Sequence, residues 1–367
     1  QAAKAHPTRS FNASVNYGSV GHSRRNARTA NDYLENTIRS SISYSNTIPN
    51  SPFNMTVAAT HNQKLSDSLI SITLPDASLS MSSVNPFKRK TIVGKTRWYE
   101  NIRLSYTGNA QNVLLDAKMD STFYTKSTLE KFQKGVRHSI PISTNIKFLK
   151  YFSLNPNITF NDRWLYNKVE QTWDTTIVNT KTKAKGGVRY DTIPGFYNVW
   201  DYSLGVGVST VIYGTFAYKN KVVKALRHTM KPSVSYSFKP NYGSSKYDYW
   251  SSYTDSAGDI YNYSYYSGQV YNDIPSRIKS SSIGFGLSNS LELKVRDRKD
   301  TVTQTRKISL IDDLTGTISY NFAADSMNWS YFNVSGNTSL FKRVTVRYSA
   351  QFDPYKLAKN KKGDLVR

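Results

Sequence analysis

Residues 230–239 alternate without a break. Met230, Pro232, Val234, Tyr236 and Phe238 fall on one side; Lys231, Ser233, Ser235, Ser237 and Lys239 fall on the other. Period two over such a length marks a β-strand with one apolar and one polar face. Pro240-Asn241-Tyr242-Gly243 then ends it with turn residues. A length of about ten residues is what a tilted strand needs to cross a bilayer. Strands of soluble sandwiches are usually shorter, and their polar sides carry mixed charge. Here the polar side is serine and lysine, and the apolar side ends in aromatics. That combination is what a transmembrane β-barrel requires, with Lys231, Ser233, Ser235, Ser237 and Lys239 toward the lumen and Val234, Tyr236 and Phe238 toward lipid.

The same alternation recurs along the chain, and helix signals are almost absent. It passes through Phe11, Ala13, Val15 and Tyr17; Ile38, Ile42 and Tyr44; Phe53, Met55 and Val57; Ile70, Ile72 and Leu74; and Ile102, Leu104 and Tyr106. It continues over 136–148, from Leu154 to Phe160, over 200–212, from Ile283 to Leu293, and over 314–322, 329–340 and 344–352. The pattern predicts an all-β chain of about fourteen antiparallel strands, each near ten residues, in one barrel domain covering 1–367. Connections come in two sizes. Phe148-Leu149-Lys150-Tyr151 and Leu340-Phe341-Lys342-Arg343 are tight, whereas 18–35 and 241–280 are long and polar. Short turns on one side and long loops on the other is the barrel arrangement. Pro156 and Pro232 fall inside predicted strands, where each removes a ladder N–H; a bulge or a strand start is expected at both, with local opening of the pairing as the alternative.

Composition agrees. Hydrophobic residues make up 38%, low for 367 residues, yet aromatics reach 13%, which argues against disorder. A barrel reconciles the two, because only alternate strand residues meet lipid. Mean hydropathy is −0.54, and no run approaches the length of a membrane helix. Lys and Arg number 49 against 25 Asp and Glu, a net charge of +24, which points to an anionic partner: nucleic acid, anionic lipid or lipopolysaccharide. Cysteine is absent, which excludes disulfides and thiolate chemistry within the chain. Gln1 is not preceded by methionine or a signal peptide, and Arg367 does not close a terminal aromatic strand, so a piece of a longer protein is expected.

No catalytic, cofactor-binding or metal-ligating arrangement emerges, and the chain is read as a non-enzyme without cofactors. The five histidines are scattered, and His138 and His228 read as structural. Gly205-Val206-Gly207 and Gly284-Phe285-Gly286 open no helix and read as small residues in strands. Asp312-Asp313 and Asp297/Asp300 read as solvated turns rather than calcium sites. The tyrosine cluster of 242–271 contains only Lys246 among its aromatics, against three aspartates; loop self-packing or sugar contact fits it better than nucleic-acid stacking.

Several segments resemble the lipopolysaccharide-assembly outer-membrane protein family, LptD. They are Arg227-His228-Thr229-Met230-Lys231-Pro232-Ser233-Val234-Ser235-Tyr236, the stretch His6-Pro7-Thr8-Arg9-Ser10-Phe11 through Gly18, Asn85-Pro86-Phe87-Lys88, Arg97-Trp98-Tyr99-Glu100, Tyr320-Asn321-Phe322-Ala323-Ala324-Asp325-Ser326 and Phe352-Asp353-Pro354-Tyr355. Together they span nearly the whole chain. The resemblance implies a large part of the family's barrel in the cell outer membrane. It implies transport of lipopolysaccharide from a periplasmic bridge of Lpt proteins, through the lumen, into the outer leaflet. It also implies outer-membrane lipids and an LptE-like plug lipoprotein as partners; nucleic acid is not expected, since the sequence holds no known reader motif. A generic porin or substrate-specific channel stands as the alternative, sharing fold, length and charge; a secreted β-sandwich adhesin is a third reading.

Overall fold

The computed structural model describes residues 6–16, 37–64, 68–91, 93–119, 123–178, 185–219, 222–297, 304–340, 344–356, 358–359 and 365–366. The predicted loop 18–35, the turn at 341–343, Tyr17 and Asp300 lie outside the described residues. In chain order the strands are β1 Arg9–Ser14, β2 Thr37–Thr47, β3 Phe53–Lys64, β4 Leu69–Val84, β5 Arg103–Lys118, β6 Gln133–Ser143, β7 Ile146–Phe148, β8 Phe152–Val178, β9 Lys185–Thr210, β10 Ile212–Ala217, β11 Val223–Lys239, β12 Trp250–Thr254, β13 Ile260–Ser264, β14 Ser280–Arg296, β15 Thr305–Asn321, β16 Phe332–Leu340 and β17 Val344–Phe352. Fifteen of them form one antiparallel sheet in the order β1-β2-β3-β4-β5-β6-β8-β9-β11-β14-β15-β16-β17, with β7 on β8 and β10 on β11. The order along the sheet follows the order along the chain, except that β7 and β10 continue the edges of β6 and β9 and that β12 and β13 pair with each other outside the sheet.

The alternation that predicts the strands also sorts the faces, because the register carries one parity across the sheet. Ser235 pairs with Gly207 and Gly284; Val234 pairs with Val208 and Phe285. One face therefore collects serine, threonine, asparagine and glycine, and the other collects Val, Ile, Leu, Phe and Tyr. The apolar face is uncovered: Val206, Val234, Tyr236, Leu287, Ile142 and Ile158 are all about 40% exposed. Only ten apolar or tyrosine side chains are buried among the described residues. A water-soluble sheet with this composition would cover its apolar side.

Several strands exceed the predicted ten residues. β8 has 27 residues and β9 has 26. On β8 the apolar face runs from Phe152 to Phe160, about 30 Å along the strand and about 20–25 Å across a bilayer at the usual tilt, with Asp162 following it before Trp164. Past Trp164 the hairpin continues with charged pairs, Lys168–Glu170 and Arg189 with Asp174 and Asp191. Polar residues past the apolar belt hide this extension from a pattern that seeks membrane-length strands.

The two prolines are neither bulges nor strand starts, which corrects that expectation. Each lies within a strand of continuous register, and each faces an interruption in one neighbour. Ser143 pairs with Asn157 and Ile146 with Leu154, so the break between β6 and β7 lies opposite Pro156. Thr144 N–H donates to the Pro156 carbonyl (3.1 Å), but Pro156 has no N–H to return. Likewise Ser209 pairs with Ser233 and Ile212 with Met230, which places the gap at Val211 opposite Lys231 and Pro232. The predicted single strands 136–148 and 200–212 are thereby each cut in two. Asp312 and Asp313 also depart from the turn expected for them: both lie inside β15, where Asp313 accepts from Ser288 Oγ (2.5 Å) and Asp312 from Ser339 N–H (2.7 Å). His138 and His228 lie in strands and contact Tyr106 Oη (2.8 Å) and Asn289 Oδ1 (3.2 Å).

One end of the sheet carries tight turns. The turn of 149–151 holds Leu149 and Lys150 at positive φ (48° and 64°), closed by stacked Phe148 and Phe152. The opposite end carries the long segments 119–132 and 241–279. The separation is incomplete, because the connection 85–102 lies at the turn end. Its two motif segments lock together there: Asn85 Nδ2–H donates to the Glu100 carbonyl (3.0 Å), and the buried Glu100 carboxylate binds Arg89 and the Arg97 N–H.

Candidate functional site

The predicted face residues occupy the middle of the polar face and of the apolar face. Following the register sideways from Ser235 and its neighbours gives three rows of cross-strand partners. The first reads Arg103, Ser143, Asn157, Gly205, Ser237, Ser282, Asn321. The second reads Asn155, Gly207, Ser235, Gly284, Ser319, and the third Lys147, Ser153, Ser209, Ser233, Gly286, Thr317. These rows contain no carboxylate. Lys231 and Lys239 bracket the serines of β11 on the same face, while Val234 and Tyr236 are exposed and Phe238 half-buried on the other.

Small side chains make this face a shallow trough. Gly207 has open space where a Cβ would point, and a Cβ at Gly205 would meet Asn157 at 2.6 Å. At Gly286 it would meet Ser233 Oγ at 2.7 Å. The glycines thus let neighbouring side chains lie flat. Asn155 and Asn157 join two grooves: one of about 400 Å³ over β9 and β11, lined by Gly205, Gly207, Ser235 and Ser237, and one of about 360 Å³ reaching Arg103. Hydroxyl pairs such as Ser237–Ser282 (2.8 Å) offer many weak, replaceable contacts. The asparagines were not singled out from the sequence. Their signal was present, since Ser153, Asn155, Asn157, Thr159 and Asn161 alternate with Leu154, Pro156, Ile158 and Phe160.

The tyrosine-rich segment covers the far end of this face. It contains the β12–β13 hairpin and packs Tyr242, Tyr249, Tyr266 and Tyr271 against Leu165 and Val199, forming the larger buried cluster. Its hydroxyls perform strand work. β9 runs past the last residue it shares with β11, leaving backbone groups at Trp200 and Tyr202. Trp200 N–H donates to Tyr249 Oη (2.9 Å), whose O–H donates to the Trp200 carbonyl (3.1 Å); Tyr202 N–H donates to Tyr242 Oη (2.7 Å). Burial pushes the Tyr242 and Tyr271 phenols up to about 12. One carboxylate pins the segment down. Asp273 accepts from Arg163 Nε (3.0 Å) and Nη2 (2.8 Å) and forms an ion pair with Arg137 (2.9 Å), while Arg163 also holds Asp201 (2.6 Å). Burial pushes the Asp273 carboxyl upward, but the Arg163 hydrogen bond and the two arginine charges outweigh it and hold Asp273 below the usual range. Self-packing thus accounts for most of the cluster's aromatics.

The model of the family described as LptD protein matches residues 1–355. The chain belongs to the LptD family. No curated protein and no solved structure matches it. The all-β fold, one large antiparallel sheet with almost no helix, is that of an LptD β-barrel segment. LptD proteins act in lipopolysaccharide transport at the outer membrane, with lipopolysaccharide as substrate and the Lpt system as their setting. The LptD family is one of transport and insertion rather than catalysis.

Proposed function

We propose that the serine, glycine and asparagine face of this LptD-family sheet is the lumen wall along which the saccharide of lipopolysaccharide moves, and that the apolar face meets lipid. One observation carries this reading. A trough of short polar side chains, free of carboxylates in its rows, lies back to back with an exposed apolar face of bilayer height. Cations around the trough attract an anionic head group, and short hydroxyl side chains hold it weakly enough to pass on. On this reading residues 1–367 form a single barrel segment, and the tyrosine-covered end faces outward. The covered end narrows the path there. The rest of the polar face is open to an LptE-like plug, and the tight-turn end faces the periplasmic bridge.

Photo-crosslinking tests this in cells. A photoreactive residue at Ser235 of the full-length protein is expected to capture lipopolysaccharide, and one at Val234 is not. Capture at Ser235 is expected to vanish when the periplasmic supply is blocked. If neither position captures lipopolysaccharide while the protein sits in the outer membrane, the conduit reading fails and a general channel takes its place.

A further inference from the structure

The groove beside Arg103 differs in chemistry from the rest of the trough. It lies at the tight-turn end, between β5, β6 and β8, and encloses about 360 Å³, within the range of small-molecule sites. Asn101, Arg103, Asn145, Asn155 and Asn157 line it, together with Thr144. Arg103 forms no ion pair among the described residues. The neighbouring carboxylate in sequence, Glu100, is buried and already bound to Arg89 and the Arg97 N–H. Asn145 Nδ2–H donates to Asn155 Oδ1, so the two amides present a joined edge. Thr144 Oγ1, buried in the same wall, has no hydrogen-bond partner among the described residues. Pro156 gives the groove its shape. Lacking an N–H, it leaves the ladder open at Thr144 and Asn145, and the freed segment supplies part of the lining.

We infer that this groove is a subsite for a phosphorylated sugar. A guanidinium without an acidic partner matches the fork geometry of a phosphate. Clustered amides both donate and accept, as sugar hydroxyls require, and no carboxylate in the lining repels the anion. The inference rests on the conduit reading above and adds a first station to it. The phosphate is held by Arg103 at the tight-turn end, and the three rows that the saccharide then crosses on β9, β11 and β14 hold serine and glycine, with Lys231 and Lys239 beside them.

The test uses purified full-length protein carrying a photoreactive residue at Ser143, which pairs with both Arg103 and Asn157. The probes are lipopolysaccharide and the same material dephosphorylated chemically. Arg103→Ala is expected to lower capture of the phosphorylated probe about tenfold and to leave the dephosphorylated probe unchanged; Arg103→Lys is expected to restore part of the loss. Equal loss for both probes, or no loss for either, overturns the subsite. A parallel probe at Ser235 separates the two levels. If Ser235 captures lipopolysaccharide and Ser143 shows no dependence on Arg103, the subsite fails and the conduit stands. If neither captures it, the conduit fails and takes the subsite with it.

Discussion

Replacing Asp273 by Asn is expected to loosen the tyrosine segment without unfolding the sheet. The carboxylate receives two charge-assisted hydrogen bonds from Arg163 and an ion pair from Arg137. Bonds to charged groups contribute about 1.5–3 kcal/mol each when well buried. The Arg163 side chain is 4% exposed, but Asp273 and Arg137 are 38% and 35% exposed, so the Arg137 contact shrinks to the value of a surface pair, at most about 1 kcal/mol. Asn keeps one acceptor oxygen, and Arg163 keeps Asp201. The net loss is therefore about 2–3 kcal/mol, which raises the open population roughly thirty- to 150-fold. The N–H groups of Trp200 and Tyr202 report on this directly, because tyrosine hydroxyls of the segment are their partners. Their hydrogen exchange is expected to speed up by that factor, while amides between β11 and β14 keep their rates. Unchanged exchange at Trp200 and Tyr202 in folded Asp273→Asn protein would refute the pinning role. Protonation acts in the same direction. Since Asp273 titrates below its ordinary value of 3.8 when folded, its contribution is complete above that value and is lost as pH falls through the lower one.

Two further outcomes follow from the faces and the buried phenols. Val234→Arg is expected to reduce barrel stability by about 2–4 kcal/mol in lipid, whereas Ser235→Arg, on the other face, costs little; refolding into vesicles of graded urea concentration measures both, and equal penalties would contradict the assignment of faces. Tyr242 and Tyr271 favour the neutral phenol when folded, so their contribution is complete below pH 10 and is lost as pH rises from 10 to about 12. An alkaline absorbance titration is expected to show a late phase apart from the exposed tyrosines, with the covering segment loosening in that phase; a single phase near 10 for all 27 tyrosines would count against their burial.

Period-two alternation made the strands and their two faces legible, because each side chain's parity survives pairing. Val234 and Ser235 fall on opposite faces of β11 for that reason alone. What alternation cannot carry is length beyond the apolar belt, as in β8 and β9, where solvated residues take over. Nor can it show which neighbour a proline interrupts: Pro156 breaks β6 from β7 through an absent hydrogen bond, not through its own strand. Asp312-Asp313 suggested a turn because Asp favours turns, yet Ser288, Thr315 and Ser339 satisfy the pair within the sheet. The Arg163–Asp273 contact joins residues 110 positions apart, and no local pattern announces it.

The tyrosine segment has a consequence for the order of events during assembly. Tyr271 Oη donates to the carbonyl of Asn109, 162 positions earlier, and Gln133 reaches Gly268 across 135. Contacts of such separation form only after the intervening chain is in place. The surface that receives the segment does not exist until β5, β6, β8 and β9 have joined. Docking is therefore a late step, and a sheet with a wrong neighbour between β5 and β9 offers it no seat. The tyrosine-rich segment thus serves as an internal check that the hairpins have come together in the right sequence.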